Sequence, residues 1–154
     1  MAQKNKKHEK FGLSWQLPTT WVLAPEKNTA TRFYAYPNSG GAGMIDVRDL
    51  NANTSGDAAT LTIEFMQEMK IEPSFIKDSQ PRTIKKGNLQ IQIFEKDALD
   101  MQLDNGTKLY KNQKLLLINN NKNQKHILYV VEVYQKPAKH TKAIDNVIKT
   151  LKGE

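Results

Sequence analysis

The sequence predicts an α+β fold: an antiparallel β-sheet of about six to seven strands, with an internal helix and a C-terminal helix packed on its faces. Three observations predict it. Segments that alternate apolar with polar residues, such as Leu89-Gln-Ile-Gln-Ile93, recur at hairpin spacing. Leu61, Phe65 and Met69, with Met66 beside them, make one apolar stripe at helical spacing. Ile144, Val147, Ile148 and Leu151 make a second stripe close to the C-terminus.

The elements follow in order. Residues 1–10 have no apolar periodicity and read as a flexible basic arm, which leaves 11–152 as a single domain. Phe11, Leu13 and Trp15 line one face of an opening strand, because successive strand residues point to opposite sides. Pro18 cannot donate to a ladder and ends that strand, and Trp21-Val-Leu-Ala24 restarts the apolar run. After a turn at 25–29, residues 31–36 form an aromatic-rich strand. A glycine-rich loop at 37–43 leads into a strand at 44–50, with Met44 and Asp46 on one side and Ile45 and Val47 on the other.

Ser55 or Asp57 would cap a helix that ends near Lys70. Pro73 and Pro81 bracket an irregular stretch that has room for a short strand, and Thr83-Ile84 leads to the turn Lys86-Gly87-Asn88. A meander follows. Asp104-Asn-Gly-Thr107 is a tight hairpin turn, since Asn-Gly supplies the positive φ such a turn needs. The Leu-, Ile- and Val-rich segments 114–118 and 127–134 read as central strands joined through 119–123. A last helix runs from beyond Pro137 to about Lys152, with Gly153 as its stop.

The 154 residues suffice for one hydrophobic core, and 38% hydrophobic with 25% charged residues is the composition of a folded chain. No apolar run approaches the ~20 residues of a membrane-spanning helix, and the charged N-terminal segment has no apolar stretch behind it of the kind a signal peptide carries. The absence of Cys excludes disulfides, thiolate metal sites and thiol catalysis. It fits an exported lipoprotein whose lipidated Cys preceded this sequence. The net charge of +7 is concentrated at the ends: residues 1–10 and 136–154 carry +3 each, and 11–135 only +1. Lys4, Lys6, Lys7, Lys139 and Lys142 are the candidate polyanion contacts. With only three Arg among the 23 basic residues, the pattern lacks the bidentate donors of specific nucleic-acid recognition.

Residues that carry chemistry are sparse. The loop Ser39-Gly-Gly-Ala-Gly43 opens a strand and lacks the Gly-Lys-Ser/Thr of a phosphate-binding loop, so it reads as a hairpin loop. Asp97, Asp100 and Asp104 with Glu95 form the densest acidic group, but their spacing is not that of an EF-hand and Asp is common beside turns. Asp46 and Asp49 fall on opposite faces of their strand and make no acid–base pair. His8, His126 and His140 are scattered without metal-ligand spacing, and no Gly-x-Ser-x-Gly occurs. No enzymatic activity, metal or cofactor is expected. The aromatics Trp15, Trp21, Phe33, Tyr34, Tyr36, Tyr129 and Tyr134 are mostly core, yet Phe33 and Tyr34 face opposite ways. Trp21, Tyr34, Tyr36 and Tyr134 are accordingly the candidate partner surface.

The order of these pieces resembles a family. Pro18-Thr-Thr-Trp21 after an opening strand, an early meander, one amphipathic helix, the Gly87-led hairpin, the apolar strand His126-Ile-Leu-Tyr-Val-Val-Glu-Val-Tyr134 and a terminal helix are similar to the PsbP-like superfamily over residues 11–152. Its members include the extrinsic photosystem II protein, a Ran-binding nuclear-import factor and many small bacterial lipoproteins. The resemblance implies an antiparallel sheet with helices on both faces and supplies no shared catalytic residues. Nothing marks a chloroplast chain, and the Lys- and Asn-rich composition points to a bacterium with an AT-rich genome. The expected role is a non-enzymatic protein-binding or assembly domain of a bacterial cell envelope, the soluble part of an exported lipoprotein with peripheral membrane association through its anchor. The alternatives are a cytoplasmic chaperone or adaptor that holds an apolar client segment of a secretion system, and a weak polyanion binder.

Overall fold

Leu13, Trp15 and Leu17 alternate along the second strand and are all buried, and they organise the larger of two cores. The structure, a computed structural model, describes residues 4–38, 42–50, 58–77, 80–120, 124–134 and 143–153. The strands are β1 (Asn5–Lys10), β2 (Leu13–Pro18), β3 (Trp21–Leu23), β4 (Arg32–Pro37), β5 (Ala42–Asp49), β6 (Arg82–Lys86), β7 (Leu89–Gln102), β8 (Lys108–Asn120), β9 (Lys125–Tyr134) and β10 (Lys152–Gly153). The helices are α1 (Ala58–Glu68), α2 (Ser74–Lys77) and α3 (Ala143–Thr150), with a 3-10 turn at Pro25–Lys27. All pairings are antiparallel, and the fold class is α+β.

The strands form two sheets: β1-β2-β10, and the seven-stranded β3-β4-β5-β9-β8-β7-β6. Pro18 ends β2 as its missing N–H requires, and Thr19-Thr20 carries the chain across to β3 in the large sheet. The small sheet and α3 cover one face of the large sheet, where Phe33, Ile45, Val47, Ile91, Leu116 and Val130 meet Leu13, Trp15, Ile144 and Val147. Helices α1 and α2 cover part of the other face, where Phe65, Met66 and Phe75 pack on Phe94, Leu115, Ile127 and Tyr129.

Several expectations need correction. Residues 5–10 are a strand, not a flexible arm. β1 has no apolar residue, and its backbone pairs with β2 from Asn5↔Pro18 to Lys10↔Leu13. It is also held by His8 against Trp15 and Phe33 and by Lys10 Nζ, which donates to the carbonyls of Thr29 and Arg32. Phe11 is not in the opening strand. Phe11 (φ 59) and Gly12 (φ 76) form the β1–β2 turn, the two left-handed residues that a tight hairpin needs, and the Phe11 ring still packs on the core. Gly153 does not stop the last helix. It pairs with Leu13 in β10, and the helix ends at Thr150.

Between Pro73 and Pro81, residues 74–77 form the short helix α2 and not a short strand, and α2 buries Phe75. The helix before it ends near the expected position, through Lys70 in the left-handed region (φ 56) and a bond from Ile71 N–H to Met66 C=O at 2.8 Å. The candidate caps Ser55 and Asp57, and Ser39–Gly41 of the glycine-rich loop, lie outside the described residues, whereas Ala42 and Gly43 belong to β5.

Candidate functional site

On the helical face of the large sheet, α1 and α2 lie over β7, β8 and β9, and the row nearest β3 carries Val22, Tyr34 and Tyr36. Strand alternation explains the row. Phe33 and Ala35 face the main core, so Arg32, Tyr34 and Tyr36 face the other way, and Val22 sits opposite Tyr36 in register. Tyr36 is 40% exposed and Tyr34 half-buried. A single side chain fixes the approach to this row. Asn28 Nδ2 donates to the carbonyls of Ala24 (2.6 Å) and Tyr34 (2.9 Å), and its Oδ1 accepts from the Tyr34 N–H (3.1 Å). Cations flank the Tyr34 ring, with Lys27 Nζ 4.5 Å and Arg32 Cζ 5.1 Å from its centroid.

Beneath the row lies an ion network. Asp46 is fully buried, and both Arg32 and Arg48 donate to it in bidentate fashion at 2.8–3.2 Å. Arg48 also donates to Glu68 of α1 (3.0 and 3.1 Å) and lies over the Phe65 ring. Burial alone would lower the Arg48 pKa, but the hydrogen bonds to Asp46 and Glu68 outweigh it and raise it above the ordinary value. Glu68 moves the opposite way, held below the usual carboxylate range by its bond from Arg48 against a smaller effect of burial. The arrangement fixes two guanidiniums and one tyrosine on the sheet, and among the described residues here no nucleophile has an adjacent base.

The structure places the candidate surface residues in three locations. Tyr34 and Tyr36 share the row just described. Trp21 is half-buried on the opposite side and packs against the main core. Tyr134 is turned inward at 9% exposure, and its hydroxyl donates to Asp97 at 2.8 Å.

The candidate polyanion contacts are likewise divided. Lys6 lies on the His8 side of β1, while Lys7 points to the other side and pairs with Glu9 at 2.9 Å. Lys4 is exposed just before β1, and Lys139 and Lys142 lie outside the described residues. In the acidic group, Glu95 contacts the buried Lys114 (3.0 Å), which Asp145 of α3, outside that group, also meets at 2.8 Å. Asp97 accepts from the Tyr134 hydroxyl, and Asp104 sits at the hairpin turn. The Asp100 side chain and His140 lie outside the described residues. Among the described residues no three His, Cys, Asp or Glu converge as metal ligands, and no described helix is long and apolar enough to cross a membrane.

The Arg32–Asp46–Arg48 network went unread in the sequence. Asp46 and Arg48, two apart on one strand, were a visible same-face pair, but the third member depends on how β4 and β5 are paired.

No protein-family model matches the chain, and no curated protein matches it in sequence. Solved structures do. The yeast Ran-binding protein Mog1p (Saccharomyces cerevisiae) superposes with a TM-score of 0.52 over 99% of this chain and 96% of its own, at 9% identity. This chain is similar in fold to Mog1. A mutant form of Mog1 gives a TM-score of 0.55 at 11% identity, over 97% of this chain and 96% of its own. A protein of Bacteroides thetaiotaomicron VPI-5482 gives 0.51 at 18% identity over 100% of this chain but 49% of its own, so this chain spans about half of that protein. At such identities the likeness is one of fold.

Proposed function

We propose that the chain is a non-enzymatic protein-binding domain whose contact face is the Val22–Tyr34–Tyr36 row with its cationic flank, Lys27 and Arg32. The observation that carries this reading is the row itself, with Tyr36 exposed and Tyr34 half-buried, on a part of the sheet where Arg32 and Arg48 tie β4 and β5 together through Asp46. Tyr and Arg are the side chains that anchor protein interfaces, and a pre-ordered face loses little entropy on binding. The face suits a partner with an apolar centre and a carboxylate at its rim. Mog1p, of similar fold, is a Ran-binding protein, which supports protein binding in general and transfers no partner.

A photo-crosslinking residue at Tyr36 tests the face, with one at the exposed Ile63 of α1 as control. The expected result is a discrete adduct in source-cell lysate from position 36 only, lost in a Tyr34→Ala background. Equal labelling at 36 and 63 would overturn the assignment.

The PsbP-like pattern of the sequence extends the reading to a bacterial envelope, as the soluble part of an exported lipoprotein. Intact mass of the native protein from fractionated cells tests that location. A lipidated chain in the membrane fraction supports it, and an unmodified chain starting at Met1 in the soluble fraction moves the domain to the cytoplasm.

A further inference from the structure

We propose that the opposite end of the same sheet face, beside β6, is a binding site for a small organic acid whose body carries N–H or O–H donors. Lys85 of β6, Gln90 of β7, Asn119 of β8 and Lys125 of β9 are paired in one continuous register. Their side chains therefore rise from one face in a single row, across three strand spacings or roughly 14 Å. Thr83, Gln92 and Leu117 form the next row. With Thr62 of α1 and Leu50 they border a cleft of about 380 Å³, a size that small-molecule sites occupy. A second cleft of about 440 Å³ shares Gln90 and Asn119 and adds Lys85, Asn88 and Asn120. His126 also borders the first cleft, but by alternation its ring lies on the other face, stacked on Phe11.

Two features set the ligand chemistry. Asn119 Oδ1 is buried and meets no donor among the described residues. A buried acceptor in a native protein ordinarily has a protein or water partner, and an N–H or O–H of a ligand seated in the cleft is placed to take that role. The rest of the row is rich in donors, with amide groups on Gln90 and Gln92 and ammonium groups on Lys85 and Lys125, and among the described residues no Asp or Glu borders either cleft. An anionic group of the ligand belongs there, where donors are charge-assisted. Among the described residues no aromatic ring lines the floor, so polar contacts rather than ring stacking select the ligand. This site lies across α1 from the tyrosine row and is independent of the partner proposed for it.

The test is a titration of the isotope-labelled full chain, followed through the side-chain amide NMR signals of Gln90, Gln92 and Asn119. Digalacturonate and the dipeptide Glu-Glu are the acidic probes, and lactose is the uncharged control. One acidic probe is expected to shift these signals saturably at millimolar concentration while lactose does not, and which one does so separates a sugar acid from a peptide acid. Lys85→Gln with Lys125→Gln, both at exposed positions, is expected to weaken binding about tenfold or more, and Asn119→Leu to abolish it. The proposal is overturned if neither acidic probe gives a saturable shift, if lactose shifts the signals equally, or if the lysine pair leaves the titration unchanged.

Discussion

Arg32 on β4 and Asp46 on β5 are joined diagonally, one pair out of direct register, with Nη2 2.8 Å from Oδ2 and Nε 3.2 Å from Oδ1. Long side chains reach such diagonal neighbours readily, and the offset leaves room for Arg48 to grip the same carboxylate from its own strand. Asp46 is wholly buried while each arginine side chain keeps about a fifth of its surface in solvent. Asp46→Ala would leave two cations side by side with no counter-charge between them. Urea unfolding of this variant is expected to show a loss of about 3 kcal/mol. A loss below about 0.5 kcal/mol would mean that the network behaves as an ordinary surface pair.

Gly43 has a different constraint. It faces Glu132 across the β5–β9 ladder, and a Cβ there would sit 2.2 Å from the Val131 carbonyl oxygen, a backbone atom that cannot swing aside. Gly43→Ala should cost at least about 2 kcal/mol or prevent folding. Gly153→Ala is the useful contrast, since its closest contact, at 2.7 Å, is the flexible end of Leu89. Parallel denaturation curves for the two variants check the ranking, and equal midpoints would contradict the close approach at Gly43.

The sequence made most of the large sheet readable because its strands carry their own signals. Ile45 and Val47 alternate with Asp46, Leu89, Ile91 and Ile93 with Gln90 and Gln92, and Asn105-Gly106 sits at the β7–β8 turn. The small sheet was hidden for a physical reason. β1 is an edge strand of lysines and other polar residues whose ladder is entirely backbone, and β10 is two residues long. Neither carries an apolar period to read. The tyrosine row was half legible: alternation separates Phe33 from Tyr34, but only the pairing of β3 with β4 brings Val22 against Tyr36. Tyr134 looked like a surface anchor and is instead buried, because β7 and β8 extend alongside the end of β9 and Asp97 reaches its hydroxyl. The Lys85–Gln90–Asn119–Lys125 row needs three successive registers, none of which local sequence encodes.

Acid should weaken the fold through its histidines. His126 is buried against Phe11, and His8 is half-buried against Trp15. Burial pushes both below the ordinary value of 6.5. Asp49, 3.7 Å away, partly opposes the shift at His126, and Lys6 adds to it at His8. The folded state therefore binds fewer protons than the unfolded chain once pH drops below about 6.5. Stability is full above that pH and declines beneath it, by at most about 1.4 kcal/mol per pH unit for each histidine. His126→Phe combined with His8→Gln is expected to flatten urea midpoints between pH 7.5 and pH 5 relative to the parent. An unchanged slope in the double variant would assign the acid lability to other groups.

At the alkaline end the governing residue is Tyr134. Burial, then its hydrogen bond to Asp97 and the nearby negative charge of Glu132, push its phenol up to about 12, while its ring stacks on Tyr110 at 5.7 Å. Ionisation is disfavoured in the fold, so the unfolded chain loses this proton first. The stabilising effect is complete below about pH 10, the ordinary phenol value, and disappears as pH rises through about 12. Near-ultraviolet absorbance titration should show a late-ionising tyrosine that vanishes in Tyr134→Phe. At neutral pH that variant should lose only about 1 kcal/mol, because the Asp97 carboxylate it releases is exposed and regains water. If Tyr134→Phe leaves the late phase intact, the phase belongs to another phenol. Tyr129 is the leading one, since burial raises it too, against the opposing bond from Gln113.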